Sequence, residues 1–168
     1  MSHSPHCHSR PFTSLSEPEI LWNRLHTCSN ATRYACRAWC YREAGETLIH
    51  PEAHLLAVLD EISEELFFQV SGSPRVSHRR ETFETLEVWA FELEQACEEC
   101  SVNESNEDID TLVRLFAEGC RLAKELFESR VEENGMDYLL EFLDLVSVHA
   151  LSMVVSQPST GGLLKKAA

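Results

Sequence analysis

Four cysteines fall in two tight pairs, Cys36 with Cys40 and Cys97 with Cys100. Spacings of four and three set both thiols of a pair on one side of a helix. Two such pairs facing each other would surround a zinc ion with four sulfurs, the tetrahedral set that zinc prefers. Arg33 and Arg37, next to the first pair, would favour thiolate and give the same residues a redox reading. Against both stands the stripe that holds Cys97 and Cys100, which is apolar along its length; buried cysteine is commonly a small hydrophobe. CEEC on a helix also lacks the strand that precedes a thioredoxin motif. The sequence therefore favours no cofactor, with zinc as the alternative.

Carboxylates form the second constellation. Residues 81–108 contain ten acids and no Lys or Arg. Glu84, Glu87, Glu94 and Glu98 fall within about 80° of one helical face at 100° per residue. Glu61, Glu64 and Glu65 extend the acidic surface on the preceding helix. Without i+4 lysines these charges repel, at a few tenths of a kcal/mol per pair. A face that only had to be wet could mix in lysines, so the unmixed charge is expected to serve a basic partner by steering and complementarity. A nucleic-acid-binding protein is one such partner, since a carboxylate row imitates a phosphate row. The competing expectation is a merely solvated helix face.

Arg33, Arg37, Trp39 and their aromatic neighbours Tyr34 and Tyr41 form the third. Arg beside Trp and Tyr is the composition of interface hot spots. The plainer expectation is that these arginines pair with the chain's own acids. The histidines are scattered. His3, His6, Cys7 and His8 make only an adventitious metal cluster, and His149 reads as a partly buried, satisfied side chain. No phosphate-binding glycine loop, G-x-S-x-G or H-E-x-x-H is present, so the chain reads as non-catalytic.

The bulk composition agrees. The chain has 168 residues and a net charge of −14, which suits one domain and disfavours direct binding to nucleic acid or an anionic membrane. Charge is uneven: residues 43–108 hold 17 acids against three arginines. Seven cysteines and an N-terminus without an apolar run point to free thiols in a reducing, cytoplasmic setting.

The elements that must position these residues are helices. Ser16-Glu17-Pro18-Glu19 is a capping box, starting a short helix over about 17–28; a second runs from Asn30 to Gly45. Pro51 opens a third, to Val70, with Leu55, Val58, Leu59, Ile62 and Leu66 on one face. The fourth, about 80–101, carries Leu86, Ala90, Leu93, Cys97 and Cys100. The fifth, about 108–133, carries Ile109, Leu112, Phe116, Cys120 and Ala123 and stops at Asn134-Gly135. The sixth, about 137–156, has an apolar arc broad enough for a central helix or for a dimer face. The expected fold is all-α: an antiparallel bundle of about six helices, four long and two shorter at the N-terminus, over residues 16–156, with arms at 1–15 and 157–168.

The resulting expectation is a cytoplasmic, non-catalytic regulator, inhibitor or chaperone-like protein that engages a basic protein surface through its acidic helical face. A homodimer through helix 137–156 or the N-terminal helices is a further option.

Overall fold

A computed structural model describes residues 17–44, 50–71, 78–100, 107–129 and 133–155. Five helices account for them: α1 (Glu17–Ala44), α2 (His50–Val70), α3 (His78–Cys100), α4 (Glu107–Ser129) and α5 (Glu133–Val155). No strand occurs among the described residues. The arms expected at 1–15 and 157–168, the capping serine, Gly45 and the cluster at His3, His6, Cys7 and His8 lie outside them.

The all-helical expectation holds among the described residues, which form five helices where about six were expected. The two short N-terminal helices are one continuous helix of 28 residues. Ser29-Asn30 reads locally as a break because both residues compete for backbone hydrogen bonds. Here the competition is removed. Ser29 is buried and its hydroxyl bonds that of Ser63, while Asn30 bonds His26 one turn back. Asn134-Gly135 is also not a terminator: it lies in the first turn of α5, where the missing side chain of Gly135 leaves room for Leu126 of α4.

Contacts fix the directions. Ser29 meets Ser63 and Arg33 meets Asp60, so α1 and α2 run antiparallel. Glu94 meets Arg121 and Glu87 meets Lys124, so α3 and α4 do too. Trp22 stacks on Phe127 at 4.7 Å, setting α4 against α1. Gly119 abuts Leu143, setting α5 against α4. Arg24 reaches Asp144 and Cys28 reaches Ser147, so α5 lies parallel to α1. The chain thus runs up and down through its five helices and closes with the last beside the first.

The C-terminal helix is not central: α4 packs against α1, α3 and α5, and α1 packs against α2, α4 and α5. The inward arc of α1 is wide and made largely of small residues: Cys28, Ser29, Ala31, Thr32, Ala35 and Cys36 are all buried. Small side chains let three neighbours approach one helix, at the 8–10 Å interaxial distances of close packing. Between them Leu21, Leu25, Leu59, Ile62, Leu93, Leu112 and Phe116 fill the core. Each such side chain contributes about 1.5–3 kcal/mol on burial. The apolar residues of α5 divide instead. Leu139, Leu143, Val146 and Ala150 face inward, whereas Tyr138, Leu145, Val148, Leu151 and Val155 are exposed.

Candidate functional site

The acidic row on α3 stands at the surface, as its spacing requires, but part of it is neutralised by the neighbouring helix. Glu94 receives both terminal nitrogens of Arg121. Glu87 lies 3.3 Å from Lys124, which also holds Glu128 at 2.9 Å. Further up the seam Arg114 bonds Asp110 and feels the field of Glu98. The bases needed to mix the charge are therefore present, on α4 rather than one turn along α3. Arg121 holds the Glu94 carboxyl below the usual carboxylate range through its hydrogen bonds, partly opposed by burial. Of the four carboxylates expected to form a partner-facing row, Glu94 is committed to this seam and Glu87 is shared with it. Glu98 is exposed but not free, and Glu84 is exposed. On α2, Glu61, Glu64 and Glu65 are exposed, and none forms an ion pair with a described residue.

What sequence reasoning overlooked is apolar. Phe91, 56% exposed, lies inside the carboxylate arc of α3, and Val88, 53% exposed, flanks it, about 40° beyond Glu84 at 100° per residue. Phe68, 45% exposed, occupies the equivalent place on α2. The two helices carry the same outward arrangement: two glutamates three apart with a phenylalanine four further on, Glu61-Glu64-Phe68 and Glu84-Glu87-Phe91. At 100° per residue each phenylalanine falls on the same face as its glutamates. The signal was available in the sequence as aromatic residues off the core stripe.

The basic-aromatic residues of α1 divide between surface and core. Arg33 and Arg37 both turn to Asp60 of α2, at 3.2 and 3.3 Å. Trp39 is buried; it packs the core and offers nothing to a partner, which corrects its placement among the partner-binding residues. Tyr34 and Tyr41 are exposed.

The four paired cysteines do converge. Cys36 lies near enough to Cys40, Cys97 and Cys100 for each to affect its ionisation. Burial, the dominant cause, pushes Cys36 well above the ordinary thiol value. It takes Cys40 and Cys97 up to about 12 and Cys100 to about 11. Glu52, also buried, adds its negative field to Cys40 and Cys100. All four are free thiols. Arg33 and Arg37 do not activate them, being turned outward to Asp60. Among the described residues no group of three or more His, Cys, Asp or Glu is arranged to hold a metal ion. Burial therefore keeps these four thiols protonated near neutral pH. His149, expected to be partly buried, is exposed, because it lies on the outer side of α5.

No family model matches the chain, and neither a curated protein nor a solved structure matches it.

Proposed function

We propose that this chain is a non-catalytic, intracellular protein-binding protein, a regulator, inhibitor or chaperone-like protein, whose α2–α3 surface docks a basic amphipathic segment of another protein. The observation that carries the reading is the exposure of Phe68, Val88 and Phe91 among glutamates of which Glu61, Glu64, Glu65 and Glu84 form no ion pair with a described residue. Aromatic anchors surrounded by charge of one sign match the anatomy of a binding surface, with an apolar centre to desolvate and a charged rim to orient. A partner helix with one apolar stripe and lysines or arginines beside it would bury Phe91 and Phe68 and meet Glu61, Glu64, Glu65 and Glu84. Glu87 and Glu98 contribute from the edge. Glu94 supports the surface by tying α3 to α4. A basic segment of a nucleic-acid-binding protein has the required chemistry.

The test is affinity capture from the native cell with the full chain as bait, read by mass spectrometry at low and high salt. Changing Glu61, Glu64 and Glu84 together to Lys should abolish capture of the salt-sensitive partner, and Phe91→Ala should weaken it at every salt concentration. Capture that is indifferent to both changes would reject the reading.

A further inference from the structure

We infer that the outer face of α5 is a self-association surface on which two copies of this chain pair antiparallel. Tyr138, Leu145, Val148 and Val155 are each between 62% and 79% exposed, and Leu151 is more than half exposed. No described element covers them. Large apolar side chains this exposed along one helix form a contiguous patch of the kind that marks an interaction surface.

The order of residues along the strip names the occupant. Tyr138, Glu141, Leu145, Val148, Ser152 and Val155 follow alternating spacings of three and four, the seam of a two-helix coiled coil. The strip is also symmetric about the peptide between Val146 and Ser147. In an antiparallel pair Leu145 meets Val148 of the second copy, Tyr138 meets Val155, and Glu141 meets Ser152. Apolar residues thus meet apolar residues, and each carboxylate meets a hydroxyl.

Charge selects the same orientation. All four acids of α5, at 133, 137, 141 and 144, lie in its first half, and the helix has no Lys or Arg. A parallel pair would stack Glu141 on Glu141, whereas the antiparallel pair sets the acidic half of one helix on the uncharged half of the other. Asp144, at the edge of the strip, is already paired with Arg24 at 2.6 Å. The segment Gly135–Val155 is long and apolar enough to cross a membrane by length and composition. A bilayer is nevertheless the poorer occupant. An interfacial helix carries Lys or Arg on its polar side, and a spanning one would have to leave α1 and α4, against which α5 packs.

Sedimentation equilibrium of the full chain from ~0.1 to ~100 µM tests this, spanning the affinities of weak to firm dimers. The expected result is a dimer with a micromolar or tighter Kd. Leu145→Glu and Val148→Glu should each raise it at least ~100-fold, as loss of a central anchor does, with helical circular dichroism unchanged because both sites are exposed. Ser152→Lys, which sets an ammonium opposite Glu141, should tighten the dimer several-fold and Ser152→Glu should loosen it. A monomer at ~100 µM would overturn the inference, whether or not it floats with phosphatidylcholine vesicles. So would a dimer insensitive to Leu145→Glu, or one that Ser152→Lys fails to tighten. The acidic surface on α2 and α3 is not involved, so the two readings fail separately.

Discussion

Glu94 of α3 and Arg121 of α4 meet in a two-pronged pair, each guanidinium terminal nitrogen on its own carboxylate oxygen at 2.5 Å. Both side chains are about a third exposed, so water weakens the attraction without removing it. Bidentate geometry makes such a pair stronger than an ordinary surface contact. A double-mutant cycle with Glu94→Gln and Arg121→Gln should give a coupling of about 1 kcal/mol, at the upper end for exposed pairs. The pair also has a pH signature. Its hydrogen bonds lower the Glu94 pKa in the folded chain, so its contribution is complete above the ordinary carboxylate value near 4.5 and is lost as pH falls through the depressed one. Urea denaturation between neutral pH and pH ~3 should show the wild type losing stability that Arg121→Gln has already lost. Parallel pH profiles in the two proteins would contradict the assignment.

The thiol layer predicts the opposite pH dependence. In that layer Cys40 and Cys97 are raised by burial from an ordinary value of 9.0 to about 12, and Cys28, elsewhere in the core, is raised as far. A group that ionises less readily when folded stabilises the fold below its unfolded value and withdraws that stability as pH rises towards the folded one. Stability should therefore fall between pH 9 and about 12, and less steeply in Cys40→Ala. At pH 8 alkylation by iodoacetamide should be slow in the native protein and complete in denaturant. Among the described thiols Cys100, the least deeply buried, should react first. Fast native alkylation of Cys36 would mean that the layer is not packed.

The inward stripes were legible because burial at period 3.6 is written locally. Leu55, Leu59, Ile62 and Leu66 on α2 and Leu112, Phe116, Cys120 and Ala123 on α4 are buried as their spacing requires. What the sequence concealed depends on neighbours distant along the chain. The continuity of α1 rests on Ser63, 34 residues from Ser29. Partial neutralisation of the acidic row rests on Arg121, 27 residues from Glu94, whereas i+4 counting looks only one turn ahead. The spacing of Arg114, Arg121 and Lys124 on one face of α4 was the available hint. Trp39 was misplaced for a related reason: tryptophan serves hot spots and cores alike, and only packing distinguishes them.

Gly119 tests how closely α4 and α5 approach. A Cβ there would stand 2.8 Å from Cδ2 of Leu143 and 3.6 Å from Phe142, and Leu143 is fully buried. Alanine in a helix interior normally gains up to about 1 kcal/mol over glycine. Displacing a packed leucine costs about 1–3 kcal/mol, so Gly119→Ala should be neutral to destabilising. Gly119→Val, which adds two methyls in the same direction, should cost at least ~2 kcal/mol. Thermal melts of both variants check this. A more stable Gly119→Val would show that the two helices stand further apart.

Ser29 and Ser63 allow the sharpest test of the core. Both are buried, and their hydroxyls bond each other across the α1–α2 interface. Removing one hydroxyl strands the other in an apolar layer, at a cost of about 1–3 kcal/mol, whereas removing both leaves nothing unpaired. The double variant Ser29→Ala/Ser63→Ala should therefore be more stable than either single variant, and close to wild type. Alanine at position 29 also favours the helix, which strengthens the reversal, because this is the point where local sequence suggests that α1 should break. Denaturant midpoints for the four proteins decide it. If the two single losses simply add, the hydroxyls are solvated separately, and the continuity of α1 needs another cause.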